Sequence, residues 1–175
     1  MQKALSLHPI DVPVALSLVE APQATFQQIS EMLGISSSTA HAAIARLRQA
    51  GLVRKENLEV ARSALLEFLE HGVRYAFPAV VQTEGRGVPT AHAGPLMCAD
   101  IVADTPFVWP AARGGAVGPS IAPLLRQAVE LPVRSPGVYA LLTVVDALRV
   151  GRVRERELAI GLLKSRLYPN PALAA

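Results

Sequence analysis

The chain holds a single cysteine, Cys98, in 175 residues. One thiol excludes an intrachain disulfide framework and a cysteine-based zinc site, and it fits a reducing compartment. Aromatic residues make up only 5% of the chain, so a core must be built mostly from aliphatic side chains. Charged residues make up 18%, below the roughly 25% usual in globular proteins. Lysine is scarce, 3 residues against 14 arginines, a bias read first as genome composition and second as a supply of phosphate-binding groups. No run approaches the roughly 18 uninterrupted apolar residues of a membrane span. The apolar N-terminal stretch is broken by Pro9, Asp11 and Pro13 and offers no small-residue cleavage site, which argues against a signal peptide. These absences point to a cytoplasmic protein with no membrane partner.

What is present starts with a hydrophobic fraction of 51%, ample for one domain or two small ones. The net charge of +3 is modest, and its distribution says more than its size. Ser36 to Lys55 holds Arg46, Arg48, Arg54 and Lys55 and no acid. Arg149 to Arg166 holds six cations against Glu155 and Glu157. Clusters of this kind produce a local positive field.

The first predicted helix is capped by Asp11, tolerates Pro13 in its first turn, and lines up Val12, Ala15, Leu16 and Val19 on one apolar face. Thr25 and Gln28 form a capping box for a second helix, with Phe26, Ile29 and Leu33 inward. Gly34 sits where a left-handed residue ends that helix. Ser36 caps a third helix with Ala40, Ala43, Ile44 and Leu47 on its buried stripe, and Gly51 closes it. Leu52–Arg54 and Leu58–Val60 are expected to pair as a small wing. A fourth helix is expected over Ser63–His71, stopping near Gly72, then a strand from Tyr75 to Val81. Thr83 to Ser120, rich in Gly and Pro, reads as loops and short strands. A helix over Ser120–Glu130 would bury Ile121, Leu124, Leu125 and Ala128. Ser135-Pro136 starts the clearest helical stripe, Val138, Leu141, Leu142, Val145 and Leu148. After Gly151 a last helix, Arg152 to Leu167, turns Leu158, Leu162 and Leu163 inward, and the tail from Pro169 is expected to fray.

Helix, tight turn, helix and wing is the pattern of a helix-turn-helix. A helix entering the major groove keeps one face for its scaffold and spares the other for bases. Serine hydroxyls and free N–H groups at its start suit phosphate. The stretch LGISSSTAHAAIARLRQAGLV, Leu33 to Val53, resembles the winged helix-turn-helix of bacterial transcription regulators, especially the MarR-like group. That resemblance, which covers about Asp11 to Val60, implies DNA-reading positions at Ser36, Ser37, Ser38, Thr39, His41, Ala42 and Arg46; the short wing leaves minor-groove contact either weak or confined to Arg54 and Lys55. Two departures stand out. Ala42 occupies a position that often carries a long polar or basic side chain in the group, and the wing is short. The segments EFLEHGVRYAFPAV, RGVPTAHAGPL, FVWP and LLTVVDALRVGRVRERELAIGLL resemble a set of uncharacterised bacterial proteins with the same N-terminal unit, which implies a fixed architecture and points to no activity.

Other constellations are weaker. His71, His92, Cys98, Asp100 and Asp104 match no established metal spacing. Gly85-Arg86-Gly87 and Gly114-Gly115 read as turns rather than phosphate loops. No nucleophile elbow surrounds Ser120, and no catalytic set is found. Thr83 to Pro119 could enclose a small effector pocket, though packing against the C-terminal helices is the simpler reading. Arg149, Arg152, Arg154 and Arg156 flank a helix break. They read as a solvated face rather than a phosphate contact, with Glu155 and Glu157 as local partners.

The sequence therefore predicts a mainly α (α+β) protein. Residues 1–62 form a winged helix-turn-helix. Residues 63–175 form a linker helix, a loop-rich β segment and C-terminal helices for dimerisation or partner binding. The expected function is sequence-specific binding of double-stranded DNA by a homodimer, in repression or autoregulation, with no cofactor and no enzymatic activity. The alternative is an interaction module, antitoxin-like or an adaptor, for a protein partner.

Overall fold

α1, Asp11–Glu20, runs between α3, Ser37–Gln49, and α7, Pro136–Val150. The computed structural model describes residues 5–169; the tail expected to fray beyond Pro169 lies outside the described residues. Neighbours on both sides explain why every residue from Asp11 to Leu18 is buried, where the sequence suggested a single apolar face. Val12, Ala15 and Leu16 are inward as expected, Val19 is half-buried, and Val14, Ser17 and Leu18 join the core. Asp11 does not cap the helix. It is the first helical residue, and its carboxylate accepts the His8 N–H at 2.8 Å.

α2, Phe26–Leu33, starts with the expected capping box: Thr25 accepts from the Gln28 backbone, and Gln28 accepts from that of Thr25. Gly34 ends it in a left-handed conformation, φ +66°, which is where glycine costs least. Ser36 caps α3, and Ala40, Ala43, Ile44 and Leu47 are buried. Gly51, φ +75°, turns the chain into a wing reduced to one bridge, Val53 with Val60. The flanking bonds Arg54 N–H to Glu59 O and Ala61 N–H to Leu52 O complete it.

The helix expected to stop near Gly72 runs on. α4, Arg62–Glu67, passes through a π-helical turn, Phe68–Gly72, into α5, Val73–Ala76. Gly72 is small because Phe68 lies across it: a Cβ there would stand 2.9 Å from that ring. Tyr75 and Ala76 are therefore helical, and the strand expected from Tyr75 begins only at Val81, beyond Pro78.

The loop-rich segment holds three strands: β1, Val81–Thr90; β2, Phe107–Pro110; and β3, Ala116–Ile121. β1 pairs antiparallel with both others, and β2 meets β3 at one parallel bridge, Val108 with Ser120, so the three close on one another. The closure is tight enough that a Cβ on Gly87 would meet the Trp109 carbonyl at 2.1 Å. No helix forms over Ser120–Glu130. Ser120 and Ile121 belong to β3, and Pro123 disfavours a helical residue before it. The chain then makes a 3-10 turn, Arg126–Glu130, and the short α6, Leu131–Arg134. Leu124, Leu125 and Ala128 are buried nonetheless.

α7 starts at Pro136 without a side-chain bond from Ser135. Its whole expected stripe is buried, together with Ala140, Thr143, Val144, Asp146 and Ala147. α8, Val153–Leu167, buries Leu163 but leaves Leu158 and Leu162 half-exposed. The apolar core is continuous from Val12 to Leu167, and each fully buried Leu, Ile or Val within it contributes about 1.5–3 kcal/mol.

Candidate nucleic-acid interface

The start of α3 is a closed hydroxyl cluster. The Ser36 hydroxyl accepts the Thr39 N–H at 3.1 Å and lies 2.9 Å from the Ser38 hydroxyl and 2.7 Å from that of Thr39. Ser36, Ser37, Ser38, His41 and Ala42 are exposed, and Thr39 is half-buried. The structure thus gathers most of the expected reading positions on one face. His41 stacks on Phe26 of α2, with ring centroids 3.7 Å apart and planes 13° from parallel. Stacking fixes where the imidazole edge points, at the cost of its reach.

Arg46 is placed differently from expectation. Its Nε and Nη2 grip the Asp11 carboxylate, the shortest bond being Nη2 to Oδ1 at 2.6 Å. The hydrogen bonds to Asp11 raise the guanidinium further above its ordinary value, against the lowering effect of partial burial. A bidentate arginine–carboxylate pair of this kind is a strong contact, so Arg46 serves as the strut between α3 and α1, and its guanidinium is turned toward Asp11. Arg48, which the sequence reading left without a role, braces the wing. Its guanidinium donates to the carbonyls of Arg54, at 3.3 Å, and Asn57, at 3.1 Å. Arg54 faces Glu59 at 3.3 Å with both groups well exposed, a pairing worth little in water. Lys55 is exposed at the wing tip. The acid-free window from Ser36 to Lys55 is therefore partly neutralised in space, by Asp11 before it and Glu59 after it.

The second half of the chain reaches the turn of the motif. Arg134 of α6 donates to the Glu31 carbonyl at 3.3 Å and pairs with Glu130 at 2.7 Å. A Cβ on Gly34 would stand 3.3 Å from Arg134 Nε, so glycine at the turn also makes room for this arginine. Sequence spacing gives no sign of Asp11 in its role or of Arg134 at the turn, because Arg46 and the Glu31 carbonyl lie 35 and 103 residues away from them.

Arg149, grouped above with a solvated arginine face, turns its side chain inward, though the residue as a whole is half-buried. It pairs with Asp146 at 2.6 Å and donates to the carbonyls of Phe77, at 2.8 Å, and Ala122, at 3.3 Å. Asp146 also accepts from Trp109 Nε1 at 2.6 Å and from the Thr90 hydroxyl at 2.8 Å. Burial raises the Asp146 carboxyl above its ordinary range, and the Arg149 charge and the three donors oppose that rise without cancelling it. Arg152 and Arg154 are exposed, and Arg156 donates to the Gly151 carbonyl at 2.7 Å. His92 is buried, donates from Nε2 to the Thr105 carbonyl at 3.2 Å, and lies 4.0 Å from Glu155. Among the described residues no three His, Cys, Asp or Glu side chains are grouped to hold a metal, and no helix is long and apolar enough to cross a membrane.

Residues 5–63 match the model of the MarR family. The match spans α1, α2, α3 and the wing, and this N-terminal third, a winged helix-turn-helix, is similar to that family. No curated protein and no solved structure matches the chain.

Proposed function

We propose that the protein is a transcription regulator that binds double-stranded DNA sequence-specifically, with α3 in the major groove, and that it acts as a homodimer in repression or autoregulation. The observation that carries this reading is the exposed face of a capped α3, with Ser37, Ser38, His41 and Ala42 side by side and no acid among them. Small side chains there let the helix approach base edges closely. Ser36 and Thr39 present the first turn to a phosphate, and Arg54 and Lys55 extend contact from the wing. A face this modest gains affinity from being doubled, which is the reason for two protomers on a palindromic site.

The test is fluorescence anisotropy with the upstream region of the protein's own gene. Sub-micromolar binding that falls steeply with salt, and that weakens in Ser38→Ala and His41→Ala while their melting is unchanged, supports the reading. Binding that is absent or indifferent to salt overturns it. One observation favours a second reading as a protein-interaction module: Arg46 and Arg48 are spent inside the protein. Co-purification with a stoichiometric partner, together with no DNA binding, would select that reading.

A further inference from the structure

An open groove of about 490 Å³ separates the start of α3 from the 3-10 turn Arg126–Glu130. His8, Ser36, Thr39, Arg126 and Gln127 supply its polar walls, and none of the residues lining it is acidic. The groove is therefore shared between the reading helix and a turn more than eighty residues later in the chain.

Arg126 is exposed, and its side chain makes no hydrogen bond or ion pair among the described residues. That separates it from three other arginines of the α3, wing and α6 region. Arg46 is held by Asp11, Arg54 faces Glu59, and Arg134 holds Glu130. The turn beneath it is firm: Leu124, Leu125 and Ala128 are buried on either side of it. A cation on a firm base, in an acid-free groove beside the hydroxyls of a reading helix, suits an anion that lies against that helix. The anion a duplex presents at the flank of a helix in its major groove is a backbone phosphate, and a guanidinium fits phosphate oxygens in a bidentate way.

We propose that Arg126 is a DNA-backbone contact supplied by the second half of the chain, clamping the phosphate that flanks the start of α3, with Gln127 and His8 at its sides. The proposal rests on the DNA-binding reading above and deepens it. The DNA footprint then extends past the winged helix-turn-helix. The charge that the motif loses to Asp11 is replaced from outside the motif.

A phosphate clamp has a signature that a base contact lacks: it weakens all sequences alike and changes the salt dependence. The experiment is anisotropy of the full chain with its own upstream duplex and with an unrelated duplex, across a salt series. It compares wild type, Arg126→Gln and Arg113→Gln. Arg113 is an exposed cation on the β2–β3 connection that does not line the groove. Its variant controls for net charge. Arg126→Gln is expected to bind both duplexes about five-fold more weakly at 0.15 M salt and to lower the slope of log K on log salt by about 0.9, the effect of one released counterion. Arg113→Gln should leave that slope unchanged, and Arg126→Gln should melt like wild type because the side chain is exposed. An unchanged slope in Arg126→Gln, or an equal change in both variants, overturns the clamp while leaving DNA binding intact. A loss confined to the cognate duplex overturns it in favour of base reading. A wild-type chain that binds neither duplex fails at the earlier step and sinks the DNA-binding reading itself.

Discussion

Asp11 and Asp146 both sit buried on helices at the centre of the molecule, and each holds an arginine at 2.6 Å. Their surroundings differ. Asp146 collects Trp109 from β2, Thr90 from the end of β1, and Arg149 from its own helix. The Arg149 side chain is 4% exposed and fastens two further carbonyls, of Phe77 and Ala122. Asp11 collects one backbone N–H and Arg46, which is 12% exposed. The first arrangement is sealed, and it fastens the small sheet to α7. The second is more open to solvent, and it fastens α3 to α1. The same pair of residue types thus makes a fixed lock in one region and a strut for the candidate DNA-binding element in the other.

The largest effect expected from this contrast is in the sealed region. Asp146→Ala would leave Arg149 buried without its counter-charge, a change that costs about 3–5 kcal/mol. Denaturant unfolding would read it as a large drop in midpoint, and a midpoint close to wild type would break the contrast. Asp11→Ala should cost less, about 1.5–3 kcal/mol, the range for a hydrogen bond to a charged group, since Arg46 can turn its freed guanidinium to water. It should also weaken DNA binding by loosening α3. If Arg46→Ala lowers DNA affinity while stability stays at wild type, Arg46 reads DNA directly and the strut is wrong.

The smallest effect concerns the neutral neighbour of the sealed network. Tyr139 sets its ring edge-on to Trp109 and donates to the Pro89 carbonyl at 2.7 Å. Burial, with a smaller contribution from Cys98, pushes its hydroxyl from 10.0 up to about 12. The folded form keeps the proton that the unfolded chain releases, so the stability from this group is intact below pH 10 and is lost as pH rises toward about 12. Wild type should lose stability over that window more steeply than Tyr139→Phe. Parallel curves in alkaline unfolding would show that the hydroxyl is not so protected.

The N-terminal elements were legible because their signals are local. The Thr25–Gln28 box, Gly34 and the Ser36 cap each act within a few residues, and the stripe Ala40, Ala43, Ile44, Leu47 repeats at helical spacing. The site was half legible for the same reason. Exposed serines are a matter of helix phase, whereas the place of Arg46 depends on Asp11, 35 residues away. Counting charges within a window missed both acids that enter it from outside. In the second half, the α7 stripe was readable but Asp146 within it was not, because a lone acid on an apolar helix shows nothing of the Trp and Thr that satisfy it. The helix expected over Ser120–Glu130 had the right buried residues and the wrong backbone. Burial periodicity alone cannot tell a helix from a strand end followed by a 3-10 turn once Pro123 intervenes.

The position of α1 bears on how this molecule can be taken apart. With one flank against α3 and the other against α7, it belongs equally to the candidate DNA-binding unit and to the rest. A chain cut after residue 62 would strip α1 of the cover that α7 provides, and the apolar residues left bare would need a new lid. Grafting the first sixty residues onto a foreign effector would therefore transplant a sticky surface along with the reading head. A chimera has to import a replacement for α7 or repaint the outer flank of α1 with polar residues. Any change that shifts α7 also has a direct mechanical route, through α1, to α3.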